Sequence, residues 1–376
     1  MIRINIFGDF CVEDLNGLSF SKELDDLLSQ ADVNALNFEA PIKIVDREKI
    51  PKSGPHLCQD PKAPSFLQDK KFNLIMLGNN HIMDYGETSA TKTIEAFSNS
   101  TVIGVGEFNR AYKASIIEKD GKKIAFLSIT QFEFGVLDDK EYCSNRIGTA
   151  WMLHPSIDSI IIAAKHECDY LIVLPHAGLE HFEYPLPELR TLYKHFVDMG
   201  ADAVIGGHPH IPQGWEMYKQ SPIVYSLGNF CFDSIYSNSK FWNIGIAAML
   251  ELGDVVSLNI IPLKYERNKR CVEFDKREEI QNFLQNICDV LNDNCNYLDT
   301  VNQKCLAMEL LYIGMIEYSG FYRTSIKRNM IHAFRKIINK LNNRQEIQDM
   351  THLVNCMRCE SHRWVISRIF ELKYNK

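Results

Sequence analysis

The chain has 376 residues, 45% hydrophobic and 24% charged, which is an ordinary globular composition and long enough for two units or one large core with an appendage. A net charge of -7 argues against a nucleic-acid partner for the chain as a whole, yet residues 321–376 carry 12 Lys and Arg against 4 Asp and Glu, a local +8 that leaves -15 elsewhere. Eleven cysteines, odd in number and scattered through strand-like and helix-like stretches, do not form the framework of a small secreted disulfide domain. They read as reduced thiols, and the lone Cys356-Met-Arg-Cys359 lacks a second pair at zinc spacing. The chain starts directly in an alternating strand without a leader-like apolar stretch, and no apolar run approaches the ~20 residues that cross a bilayer. A cytoplasmic location is expected.

Residues 2–7 alternate as a half-buried strand and end in Gly8-Asp9. A helix is expected over 21–30, then a short strand ending in Asn37-Phe38-Glu39 with Pro41 behind it. Residues 42–60 read as a loop or lid. A helix opens at Ala63, and residues 72–78 form a continuous apolar run of the kind buried on both faces, ending in Asn79-Asn80-His81. A helix over 88–98 is followed by Gly104-Val105-Gly106 and by a hairpin joining 115–118 to 123–129 across Asp120-Gly121. A helix over 155–166 leads to a buried strand over 169–175, ending at His176. Glu180 and His181 follow in a loop where substrate or simply water would meet them.

A helix over 186–199, stopped by Gly200, delivers the chain to Ala203-Val204-Ile205, two glycines and His208-Pro209-His210. Alternate residues on an extended backbone point the same way, so both imidazoles are expected to reach one point. The pair alone is equally readable as two loop histidines with no shared task. A strand over 223–227 meets a Gly228-Asn229 corner, with Asn229 counted as a substrate contact, and strands follow over 243–252 and 255–263. Beyond about residue 270 the texture turns helical, with helices expected over 278–291, 304–316, 325–341, 347–357 and 362–372. The last three carry the basic excess. They read as a solvated appendage or as an attachment to an anionic membrane surface or an acidic partner.

One unit recurs: an apolar strand, a Gly or Asn corner, then a side chain able to hold a metal. Asp9, Glu39, Asn80, His176, His208 and His210 all fit it. Carboxylate, amide and imidazole ligands suit Mn, Fe, Zn or Mg, and a set of this size can hold two ions with Glu39 or Asp9 between them. Two such ions would polarise an ester oxygen and activate a water for in-line attack, with His81 beside Asn80 as general acid. Asp84 is counted with His81 as catalytic.

Gly8-Asp9, Asn37-Phe-Glu39, Asn79-Asn-His-Ile-Met-Asp-Tyr-Gly86, Gly104-Val-Gly106, His176-Ala-Gly-Leu-Glu180, Gly206-Gly-His-Pro-His210 and Tyr225-Ser-Leu-Gly-Asn-Phe230 resemble the ordered motifs of the CapA family. Its members are bacterial proteins linked to capsule and poly-γ-glutamate synthesis and are similar in fold to calcineurin-like metallophosphatases. The resemblance implies a four-layer α/β/β/α sandwich of metallophosphatase type over residues 1–268, with a basic helical region over 269–376 outside it. Two departures from metallophosphatases are visible: Cys11 stands where their Asp-x-His motif has the histidine, and Glu39 in Asn-Phe-Glu replaces their Gly-Asp-x-x-Asp. The expected function is a metal-dependent hydrolase acting on a phosphoester or a capsular polymer amide. The alternative is a capsule-assembly component, peripheral at the membrane, that binds an anionic polymer or a synthase partner without turnover.

Overall fold

The strand expected at residues 2–7 runs on to Cys11 in the computed structural model, which describes residues 1–374 apart from 46–47, 141–142, 144, 234–236, 238, 319–329 and 331–345. The strands in chain order are β1 (Ile2–Cys11), β2 (Ser19–Phe20), β3 (Val33–Phe38), β4 (Leu74–Met76), β5 (Thr101–Ile103), β6 (Val105–Gly106), β7 (Ser115–Lys119), β8 (Lys122–Thr130) and β9 (Val136–Leu137). They continue with β10 (Gly148–Ala150), β11 (Tyr170–His176), β12 (Ala203–Ile205), β13 (Trp215–Tyr218), β14 (Ser221–Val224), β15 (Asn229–Phe232), β16 (Ile244–Leu252), β17 (Val256–Glu266) and β18 (Cys271–Phe274). The helices used below are α1 (Lys22–Gln30), α2 (Ala63–Asp69), α3 (Gly86–Ala96), α4 (Phe108–Ala111), α5 (Ile157–His166), α6 (Pro187–Asp198), α7 (Glu278–Asn292), α8 (Asn294–Ala307), α9 (Glu309–Tyr318), α10 (Glu346–Arg358) and α11 (Glu360–Tyr374).

Two sheets organise the core. One runs β2-β18-β17-β16-β1-β3-β4-β5 with β15 beside β1; the other runs β13-β14-β12-β11-β8-β7. β1 is central, parallel to β3 and β15 and antiparallel to β16. Ile2, Ile4 and Ile6 share one apolar core with Ile124 and Phe126 of β8, Ile172 of β11 and Ile205 of β12, so the two sheets pack face to face. Phe7 points the other way, into a cluster with Phe72 and Phe230 that Phe20 and Phe66 of α2 extend. On the second sheet α5 lies against β8 and β11, and α6 against β12 and β14. The architecture is the α/β/β/α sandwich.

β1 therefore departs from the half-buried strand expected of it. It is buried on both faces, and its polar Asn5 is accommodated because its amide donates to Asn34 Oδ1 at 2.9 Å instead of meeting water. Asp120 (φ 50°) and Gly121 (φ 75°) make the expected two-residue turn between β7 and β8. The single helix expected over 304–316 is two helices, α8 and α9, and the helix expected over 325–341 lies outside the described residues apart from Met330.

The chain divides into two compact units, residues 1–49 with 56–294 and residues 50–55 with 295–376. In the second, Tyr312 Oη lies 2.9 Å from His362 Nδ1, and Arg368 donates to Asn302 at 3.0 Å. Cys356 and Cys359 are buried and form no disulfide; the Cys359 thiol sits 3.2 Å from Ser361 Oγ. No helix among the described residues is long and apolar enough to cross a membrane.

β1 carries an irregularity around Asp9, where its register shifts between Phe7 and Asp9 against β3 and between Asp9 and Phe10 against β15. A Cβ on Gly8 would stand 1.8 Å from the carbonyl oxygen of Gly228, so only glycine allows the two backbones to approach this closely. Gly8→Ala is expected to destabilise the protein by about 3 kcal/mol or more, as overpacking against backbone does. A denaturant midpoint equal to wild type would contradict this close approach.

Candidate metal centre

The parallel strands of both sheets end at the same edge, and the predicted ligands gather there. The bulge in β1 re-aims Asp9, which is fully buried. Asn37 and Glu39, two apart at the end of β3, reach the same place: Asn37 Nδ2 donates to Asp9 Oδ1 at 2.7 Å and lies 3.3 Å from His176 Nδ1. After β4, Asn79 ties the turn down, donating to Asn37 Oδ1 (3.1 Å) and Phe38 O (3.0 Å) and accepting from the N–H groups of His81 and Ile82. That turn presents Asn80, whose Oδ1 is 3.1 Å from His176 Nε2.

The chain leaves β12 through Gly206 and Gly207. A Cβ on Gly207 would lie 3.3 Å from Asp9 Oδ1 and 3.6 Å from His176 Nδ1, inside the cluster. His208 (φ 97°) and His210 (φ 62°) both adopt left-handed backbone conformations that cost a non-glycine residue free energy. The extended-backbone expectation for this pair is thus overturned. A strained loop places the rings on two adjacent points, their centroids 6.0 Å apart.

At the first point, ligand atoms of Asp9, Glu39 and His210 all lie within 4.8 Å of one another. His210 Nδ1 is 3.2 Å from Asp9 Oδ2 and 3.0 Å from Asn229 Oδ1, and His210 Nε2 is 3.7 Å from Glu39 Oε1. At the second, His176 Nε2 faces Asn80 Oδ1 (3.1 Å), His208 Nδ1 (3.2 Å) and Glu39 Oε1 (3.9 Å). Glu39 Oε1 stands between the two.

The set fits a divalent cation. Asp9 Oδ2 and both carboxylate oxygens of Glu39 are buried without a hydrogen-bond donor, a costly arrangement for protein alone and one that a metal ion resolves. The protonation equilibria show the same deficit of positive charge. Burial would raise Asp9, but His210, His176 and Asn37 hold it down to about 2. Burial, with Asp9 alongside, pushes the Glu39 carboxyl well above its usual range. Burial would lower His210, yet Glu39 and Asp9 drive it up to about 10; burial lowers His176 and His208.

The remaining predicted residues lie around this pair of points. His81 Nδ1 is 2.7 Å from Asp84 Oδ2, which also accepts from the Leu57 N–H at 2.7 Å. Asn229 uses both ends of its amide inside the protein, Oδ1 toward His210 and Nδ2 donating to Trp242 O at 2.8 Å. Glu180 and His181 are exposed, and the His181 ring is 6.2 Å from that of His210. Cys11 is buried in an apolar cluster with Ala40, Phe232 and Trp242, and burial, with Glu39 next, pushes its thiol up, away from the thiolate a metal would need.

The sequence reading missed Asn37, Gln131 and Glu133. Gln131 Nε2 donates to Glu133 Oε1 at 2.7 Å and lies 2.9 Å from His208 Nε2. The signal existed: Gln131 and Glu133 follow the buried end of β8 as the six predicted ligands follow their strands.

Residues 14–234 match the family model described as bacterial capsule synthesis protein PGA_cap. The chain is 30% identical over 245 residues to the capsule biosynthesis protein CapA of Bacillus anthracis, covering 64% of this chain and 59% of that protein. It is 29% identical over 230 residues to the PGA biosynthesis protein CapA of Bacillus subtilis, covering 59% of each. The chain thus spans about three fifths of the length of these curated relatives. Among solved structures, a hypothetical protein from Thermus thermophilus superposes with a TM-score of 0.43 at 15% identity, over 69% of this chain and 99% of that one. That likeness is too distant to bear on function.

If the carboxylates are short of positive charge, chelator-treated protein gains stability when Mn2+ is added, about 2.7 kcal/mol at a hundredfold excess over Kd. Glu39→Gln is expected to lose this gain. A melting temperature insensitive to Mn2+ in the wild type would count against a cation site here.

Proposed function

The chain belongs to the bacterial capsule synthesis protein PGA_cap family, and on that footing we propose that it is a metal-dependent hydrolase of capsule or poly-γ-glutamate metabolism, acting on a phosphoester or polymer amide. The observation that carries this reading is the trio Asp9, Glu39 and His210 with its three donor-less carboxylate oxygens, next to the His81–Asp84 pair. Two ions from among Mn, Fe, Zn and Mg would be held here, one by Asp9, Glu39 and His210 and one by Asn80, His176 and His208, with Glu39 within reach of both. A divalent metal there supplies Lewis acidity and lowers the pKa of water to near neutrality.

The chain's own residues then have separable tasks. Asp84 fixes the His81 ring through Nδ1, which leaves Nε2 to deliver a proton to the leaving group. Asn229 holds His210 in orientation, a task we assign it in place of substrate contact. Glu180 and His181, exposed beside the site, are the residues we assign to substrate. We place the protein in a reducing, cytoplasmic setting on the odd number and scattering of its eleven cysteines, and the basic segment from residue 321 is the part we assign to an anionic membrane surface or a synthase partner.

One observation favours a second reading, a capsule-assembly component that binds polymer or synthase without turnover. The six candidate ligands are at most 4% exposed, and the cavity between Asp9, Asn37 and His176 measures about 10 Å³. Elemental analysis separates the two. The hydrolase reading expects two ions per chain in wild type and their loss in the His208→Ala, His210→Ala double variant; a wild type that holds no ion after incubation with Mn2+ or Zn2+ leaves only the binding role. His81→Ala should lower kcat by about 10²- to 10⁴-fold with the metal content unchanged. Turnover equal to wild type in that variant would remove His81 from the chemistry.

A further inference from the structure

Glu133, Gln131, Asn80 and His208 meet at the outer side of the second point. Glu133 Oε2 accepts from Asn80 Nδ2 at 3.5 Å. Glu133 Oε1 accepts from Gln131 Nε2 at 2.7 Å and lies 3.7 Å from His208 Nε2. Gln131 is oriented in turn, because its Oε1 accepts from the Gly178 N–H at 3.1 Å, which turns its NH2 toward Glu133 and His208. The Glu133 carboxylate is therefore anchored at one oxygen and touches an amide ligand with the other.

An asparagine side chain has two ends of nearly equal shape, and only its oxygen can serve a cation. Asn80 has its NH2 on the Glu133 side and its Oδ1 on the His176 side. His208 is held differently: the Gln131 NH2 stands 2.9 Å from its Nε2 and donates to that nitrogen. An acidic side chain behind Asn80 draws the amide N–H groups outward and leaves the Oδ1 lone pairs facing in.

We propose that Glu133, braced by Gln131, is a positioning residue for the second cation: it holds the donor end of Asn80 so that Asn80 Oδ1 faces the metal. The role rests on the two-ion reading above. It gives the loop after β8, whose Gln131 and Glu133 lie outside the ligand motifs, a defined task.

The test is a Mn2+ binding isotherm on the full chain, read with electron paramagnetic resonance, on wild type, Glu133→Gln and Glu133→Asp. Wild type is expected to take up two ions with a spin-coupled signal. In Glu133→Gln, which keeps the shape and removes the charge, the second ion is expected to bind about 10- to 100-fold more weakly while the first is unchanged, and the coupled signal gives way to that of an isolated ion. Glu133→Asp should restore part of the loss. A merely structural role would lower the melting temperature of the metal-free protein without this selective change. If wild type and Glu133→Gln both bind two ions with equal affinities, the positioning role is overturned and the two-ion reading survives. If wild type binds fewer than two, both fall.

Discussion

The constraint on which this structure turns is the burial of two carboxylates side by side without a hydrogen-bond donor for three of their four oxygens. A fold does not hold that arrangement without cost, and the cost recurs in the surrounding backbone. β1 breaks register at Asp9, Ala40 adopts φ 96° directly after Glu39, and His208 and His210 are held in left-handed conformations. Rigid parallel strands on both sides supply the over-determination that keeps such strained residues in place. The stability of the two-sheet core is what allows the edge to be unfavourable.

Around that edge the polar work is done largely by amides. Asn37 and Asn79 tie β3 to the turn after β4, Asn229 joins His210 to Trp242, and Gln131 bridges Glu133 and the Gly178 loop. A neutral amide offers a donor and an acceptor together, so it links two strand ends without adding to the negative charge already crowded there. At the far end of the same strands Asn34 does similar work, accepting from Asn5 and donating to Leu28 O and Lys71 O. Polar side chains inside this sheet thus fasten it at both ends.

Much of this was legible in the sequence because one physical rule applied repeatedly. A side chain just beyond a buried parallel strand sits where the sheet ends and a ligand can approach, and that rule found Asp9, Glu39, Asn80, His176, His208 and His210. It was applied to the strands that end in conspicuous motifs and not to β8, so Gln131 and Glu133 went unread. Asn37 was quoted within its motif without a role, since which of two nearby polar residues ligates and which orients is a matter of a few ångströms. The extended geometry assigned to His208 and His210 failed because the pair lies past the strand, where two glycines let the chain enter conformations that periodicity does not encode. The asymmetry of β1, apolar toward the second sheet and aromatic toward α2, was hidden by Asn5, whose polarity looks like solvent exposure until its partner on β3 is known.

Glu39 has one more implication. Its Oε1 lies 3.7 Å from His210 Nε2 and 3.9 Å from His176 Nε2, so a single oxygen serves two neighbouring charge positions. On the proposed two-ion reading, occupation of either position would change the field felt at the other, and by reciprocity the two affinities would be linked by one coupling free energy. The centre would then not be a pair of independent sites, and its loading would respond to the supply of metal as one thermodynamic unit.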